Sequence, residues 1–164
     1  MELPFCSACL ESSALCASCK AKVDSREFTE HDLRVSRALH SIKQDYPLDD
    51  ASFERARDFD SFYAIYTKTP SALIGKGGRV ARKLDELLEK KVKIIDSGAD
   101  PEKQLNELFL PVRLRGVNKS YKNGEEVTRV RVFKHDANRI PLPKEIVVSL
   151  IKEYYGKGAE LLLE

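Results

Sequence analysis

Apolar side chains between Thr29 and Tyr46 recur at Val35, Ala38, Leu39, Ile42 and Tyr46, the spacing of a helix with one buried face. Thr29 with Asp32 three residues later reads as the N-cap of that helix, and Pro47 breaks it. The period then changes. Phe62 to Thr67 is dense in aromatic and β-branched residues and predicts a strand. A short helical turn at Ser71 to Ile74 leads into a run of glycines, after which Val80, Leu84, Leu87 and Leu88 predict a helix over Arg79 to Lys90. Val92 to Asp96 supplies the closing strand.

A second block repeats this alternation. Pro101 to Leu110 predicts a helix, followed by strands at Val112 to Tyr121 and Val127 to Phe133 joined through Asn123-Gly124. A two-residue turn would pair Arg115 with Val132 and mix apolar with charged side chains on both faces. A three-residue loop, Lys122-Asn123-Gly124, pairs Leu114 with Val132 and Arg115 with Arg131, and is preferred because it separates a core face from an Arg-rich face. Pro143 to Tyr155 predicts a helix with Ile146, Val147, Leu150, Ile151 and Tyr154 inward, and Ala159 to Leu163 a final strand. Helix, strand, helix, strand occurs twice, the sign of a weak internal duplication.

With 164 residues the chain has room for one ordinary domain or two small ones, and any third unit must be tiny and held by a metal or other staple. No apolar run approaches the ~18 residues needed to cross a bilayer, and Met1 to Leu10 lacks the basic start of a signal peptide, so the expected location is the cytoplasm. Net charge is only +2, but its distribution is uneven. Lys68, Lys76, Arg79, Arg82 and Lys83 form a stretch without acids, whereas Asp24 to Asp60 carries ten acids against six bases. The basic stretch suits phosphate.

All four cysteines lie between Cys6 and Cys19, as Cys6-Ser-Ala-Cys9 and Cys16-Ala-Ser-Cys19. Each CxxC can wrap one side of a metal, so the two pairs can close a tetrahedral thiolate site. Structural zinc is the favoured occupant, with Cys6, Cys9, Cys16 and Cys19 as ligands; an iron–sulfur cluster accepts the same four residues. Disulfides fit less well with a reducing cytosol. The short gap between the pairs predicts a compact knuckle with hardly any sheet, and His31 and His40 read as polar residues of the following helix.

Ile74-Gly75-Lys76-Gly77-Gly78 joins the short helical turn to the longer helix. A Gly-x-x-Gly turn there admits a nucleic-acid backbone without a Cβ in the way and leaves N–H groups at a helix N-terminus for phosphate. The alternative is a plain helix–helix corner. Together with "SALIGKGGRVARKLDELLEKKVKIID", "DPEKQLNELFLPVRL" and "VNKSYKNGEEVTRVRVF", the stretch from Thr29 to Glu164 resembles the archaeal NusA-like proteins, which carry two consecutive KH domains. A zinc unit is not part of the minimal family pattern, so the chain resembles a zinc-containing branch of it. The expected fold is an α+β chain in which the small zinc knuckle (1–26), read from the cysteine spacing, precedes what the resemblance implies, a helix-first, type II KH domain with the glycine loop (27–99) and a second KH-like domain (100–164). The resemblance also implies single-stranded RNA as ligand and a role in transcription elongation or termination.

Ile74, Gly75, Lys76, Gly77, Gly78, Arg79, Arg82 and Lys83 are the expected RNA-binding residues, with Ile74 and Val80 candidates for apolar contact to bases or for core. The second block departs from the family: "KHDANRIPLPKEI" has prolines where a Gly-x-x-Gly loop would stand, so it is expected to keep the layers without the grip. Eight bases against three acids from Arg113 to Arg139 could extend a phosphate track or form a solvated face. The alternative function is an adaptor that docks onto RNA polymerase, a nuclease or the ribosome through the zinc unit and the second domain. No Ser/His/Asp or Cys/His arrangement points to an enzyme or to a small-molecule substrate.

Overall fold

The computed structural model describes residues 1–164, which divide into two compact units, Met1–Gly98 and Ala99–Glu164. The first unit opens with two short helices, α1 (Ser7–Glu11) and α2 (Ala17–Asp24), and continues through α3 (Glu30–Ile42), β1 (Arg55–Asp58), β2 (Tyr63–Thr67), α4 (Pro70–Ile74), a 3₁₀ turn (Lys76–Gly78), α5 (Arg79–Leu88) and β3 (Val92–Asp96). Its sheet has the order β1-β2-β3, with β1 antiparallel and β3 parallel to β2.

The core of this unit is the meeting of helical stripes with the centre of the sheet. Val35, Leu39 and Ile42 of α3, Tyr63 and Ile65 of β2, and Val80, Leu84 and Leu88 of α5 are all buried in one cluster. Burying side chains of this size stabilises by roughly 1.5–3 kcal/mol each before entropy is set against it. Leu87, assigned to the inward stripe by its spacing, is exposed instead. It falls between Leu84 and Leu88 on the edge of the stripe.

Thr29 and Asp32 form a reciprocal capping box at the start of α3. Asp32 does more than cap. Fully buried, its carboxylate accepts the Thr29 N–H at 2.7 Å and the Ala56 N–H of β1 at 2.6 Å, so one side chain ties helix to strand.

The second unit runs α6 (Pro101–Phe109), β4 (Gly116–Lys122), β5 (Glu125–Val132), a 3₁₀ segment (Lys134–Arg139), α7 (Lys144–Tyr155) and β6 (Glu160–Leu163). Its sheet order, β4-β5-β6, repeats the arrangement of the first: an antiparallel pair, then a parallel strand. Leu105, Leu108 and Phe109 of α6, Val130 and Val132 of β5, and Val147, Leu150 and Ile151 of α7 are buried here.

Two features differ from the reading of the sequence. Residues Arg55–Asp58 form an additional strand, so both units have three strands and the repeat is helix, strand, strand, helix, helix, strand. The hairpin turns in two residues, not three: Lys122 pairs with Glu125, and Asn123 (φ 54°) and Gly124 (φ 81°) both take the left-handed backbone of a type I′ turn. The pairing that argued against this turn does not arise, although the faces are mixed: Lys119 shares the side of Val117 and Val130, and Val127 that of Arg129 and Arg131. The ladder starts at Gly116 opposite Arg131, so Arg115 never meets Val132, and β4 is a largely exposed strand that places no strict demand on facing.

Candidate metal centre and nucleic-acid interface

The two CxxC segments fold alike. Cys6 and Cys16 are the N-caps of α1 and α2, which brings Cys9 and Cys19 round in the first turn of each helix. All four Sγ atoms lie within 4.8 Å of one another, and the Cys6 and Cys19 sulfurs are 3.8 Å apart. Four ligands at ~2.3 Å from a tetrahedral centre are separated by ~3.8 Å, so the cluster has the size of a four-thiolate metal site. The cysteines are free thiols, with Cys9 and Cys19 buried and Cys6 and Cys16 exposed.

Backbone donors surround the sulfurs. The Cys16 N–H points at Cys9 Sγ (3.1 Å), Cys19 N–H at Cys16 Sγ (3.5 Å) and Cys6 N–H at Cys19 Sγ (3.5 Å). Such N–H···S contacts stabilise thiolate charge and orient ligands. The Cys19 N–H holds the Cys16 thiol down at about 7, and the Cys9 N–H lowers Cys6. Cys9 accepts the Cys16 N–H, which favours its thiolate, yet the neighbouring Cys6 thiol and burial push it up to about 12. A cation among the four sulfurs would hold all of them as thiolates, which is the chemistry the donor set fits.

This cluster is not a free appendage. Phe5, Cys9, Leu10 and Cys19 share an apolar cluster with Phe28 and with Leu33 of α3. Arg37 of α3 donates to the Cys9 carbonyl (3.2 Å) and the Ser12 carbonyl (2.9 Å), and His40 of α3 meets Glu11 at 3.0 Å. His31 reaches the Tyr63 hydroxyl at 3.3 Å instead of the sulfurs.

In the glycine loop the individual residues separate by role. Gly75 (φ 76°, ψ 169°) ends α4, and a Cβ there would sit 2.5 Å from Val80 Cγ2. Gly77 (φ 64°, ψ 18°) is also left-handed, but nothing lies within 4 Å of where its Cβ would be. Gly78 (φ 77°) is the N-cap of α5, which has no side-chain cap. Ile74 is 40% exposed beside this loop, whereas Val80 is core.

Among the basic residues, Lys76 and Arg79 are exposed, and the Arg79 guanidinium stands 5.6 Å from the centre of the Tyr46 ring. Arg82 is spent partly on the loop itself, donating to the Gly77 carbonyl at 2.7 Å, and Lys83 is paired with Glu86 at 3.4 Å. The expected residues Ile74 to Gly78, Arg79, Arg82 and Lys83 therefore sit on one corner, with Lys76 and Arg79 the more available cations.

No family model matches the chain, and no curated protein matches it. Among solved structures, one titled "Crystal structure of APE1850" is similar over 77% of this chain and 96% of that chain, at 18% identity and a TM-score of 0.45.

The second basic region is largely neutralised. Arg129 pairs with Glu160 at 2.6 Å, Arg131 with Glu164 at 2.8 Å, Arg115 also with Glu164, and Arg139 with Asp136 at 3.2 Å. Arg131 lifts no phosphate-ready charge clear of its partner: Glu164 raises the Arg131 pKa, and Arg131 lowers that of Glu164. The pairing of Arg129 and Arg131 was hidden in the sequence because Glu160 and Glu164 come from the C-terminal end of the unit, some 30 residues later. No helix is long and apolar enough to cross a membrane.

Proposed function

We propose that the protein is an RNA-binding protein of KH type, which grips single-stranded RNA at Gly75 to Gly78, and that its four cysteines hold one structural zinc ion. The observation that carries this is Gly77: left-handed, with open space where a side chain would project, next to exposed Lys76 and at the uncapped start of α5. A phosphate can approach such a backbone closely and meet both N–H groups and a cation. The element order of the first unit, helix, strand, strand, short helix, glycine loop, helix, parallel strand, is what a helix-first KH domain would have.

Zinc is the natural occupant of four thiolates at this spacing, and an iron–sulfur cluster is the competitor. The resemblance to NusA-like proteins makes transcription elongation or termination the expected setting, with RNA polymerase as a candidate partner. The role needs no catalytic group.

The test is a titration of single-stranded RNA at several salt concentrations against the wild type and the double variant Lys76→Asp, Gly77→Asp, with circular dichroism to verify folding. Each lost phosphate contact should reduce the salt slope by about 0.7. A folded variant that binds as tightly as the wild type with the same slope would leave the loop as a helix–helix corner. The adaptor reading, in which the metal unit and the second unit dock onto a larger machine, would then replace it.

A further inference from the structure

The second unit carries an exposed ring stack that its core does not explain, beside the His135–Asp136 contact at 3.7 Å. Along β5, Val130 and Val132 face the core while Arg129 and Arg131 face outward, and the next outward residue, at the end of the strand, is an aromatic one. Phe133 is 40% exposed. Its ring is stacked with that of His135, centroids 5.1 Å apart and planes inclined by 30°, and the Arg115 guanidinium lies 4.3 Å from the Phe133 ring centre. The stack ends in water, since the His135 side chain is 74% exposed.

The segment bearing the stack is held at both ends. The Lys134 N–H donates to the Glu164 carbonyl at 2.8 Å, and the Asp136 N–H to the Phe133 carbonyl at 3.0 Å. Glu164 in turn fixes Arg115 and Arg131. A stacked pair of rings, capped by a guanidinium and carried on a hydrogen-bonded backbone, gives up less entropy when a flat partner adds to it than rings on a loose segment would.

We infer that Phe133 and His135 form a base-stacking platform for single-stranded RNA, a second contact point that rests on the proposal that the protein binds RNA at all. Every base has a π-face, so such a platform accepts bases without strict sequence preference. Lys134, exposed and between the two in sequence, can meet the adjoining phosphate. Arg129 and Arg131 of the same face are paired with Glu160 and Glu164, so the platform works by stacking far more than by charge. The proline-bearing loop after Arg139 therefore does not leave the unit unable to contact RNA. It replaces a backbone clamp by a ring surface.

The experiment uses the full chain and a short single-stranded RNA of mixed sequence, titrated at several salt concentrations. The variants are Phe133→Leu with His135→Ala, and His135→Ala alone, whose exposed position keeps the test valid if the double variant misfolds. Loss of stacking for one base should weaken binding about 5- to 150-fold, the span of ~1–3 kcal/mol per base, with the salt slope unchanged. Unchanged affinity in both variants, or a loss that comes with a reduced slope, overturns the platform. The variant Lys76→Asp, Gly77→Asp, run alongside, reports separately on the glycine loop: a defect there with wild-type binding by the platform variants means that the platform alone has failed. If the wild type does not bind the RNA, both readings fall together, and the exposed stack becomes a protein-docking surface.

Discussion

Replacing Gly75 by alanine should cost the first unit much more stability than the same change at Gly77, although both glycines belong to one loop. At Gly75 the backbone lies at φ 76°, ψ 169°, a region open in practice only to glycine, and forcing another residue into it costs about 1–3 kcal/mol. The new Cβ would also stand 2.5 Å from Val80 Cγ2 and 3.0 Å from the Val80 nitrogen. The methyl group can rotate away, but the nitrogen belongs to the first turn of α5 and moves only with the helix, so overpacking adds about 1–3 kcal/mol. The sum is about 2–6 kcal/mol, a large share of the ~5–15 kcal/mol that holds a typical domain together. At Gly77 (φ 64°, ψ 18°) no atom lies within 4 Å, and only the left-handed backbone is charged, about 1–2 kcal/mol. Urea titration of both variants, followed by far-ultraviolet circular dichroism, reads the difference. RNA titration of the folded Gly77→Ala protein should then show weakened binding, because its Cβ projects where a phosphate must approach. Equal destabilisation by the two variants would refute the assignment of Gly75 to architecture and Gly77 to the ligand.

Elemental analysis under reducing conditions should find one zinc per chain, lost in Cys16→Ser; iron, or no metal, would contradict the assignment. Chelation should lower the thermal stability of the whole first unit, not of its first 26 residues alone, because Leu33, Arg37 and His40 of α3 lean on the cysteine helices. Asp32→Ala should destabilise by about 1–3 kcal/mol in chemical denaturation, since it strands the buried N–H donor of Ala56 and opens the capping box at Thr29. Lys90 pairs with Asp58 at 2.7 Å, lowering the Asp58 pKa and raising that of Lys90. The pair therefore stabilises between about pH 4 and about pH 10, and is lost as pH falls through the folded value of Asp58 or rises through that of Lys90. Asp58→Asn should cost roughly 1 kcal/mol near neutral pH and nothing in strong acid, as thermal melts across pH would show.

Where local chemistry decides the structure, the sequence is readable. The Thr29–Asp32 cap, the α5 stripe and the doubled CxxC each depend on residues within a turn or two, and the cysteines converge as their spacing implies. Strand β1 was not readable, because Arg-Ala-Arg-Asp has neither alternation nor β-branched residues and is a strand only through its pairing with β2 and the grip of Asp32 on Ala56. The attachment of the cysteine helices to α3 was equally hidden, since it runs through Arg37 and His40, polar residues on a helix whose apolar stripe faces elsewhere. The outward direction of Phe133 follows from alternation with Arg129 and Arg131, but its contacts with His135 and Arg115 depend on how the chain turns after β5 and on a residue far back in the sequence, which no local pattern encodes.

The claim at the centre of this account is tested most directly by amide nitrogen–proton correlation spectra of the zinc-loaded full chain, recorded as single-stranded RNA is added. The account predicts progressive shifts at Gly75, Lys76, Gly77, Gly78 and Arg79, with a second group at Phe133 to His135 and the cysteine helices unmoved. Shifts confined to residues 1–26, or none at saturating RNA, would contradict it.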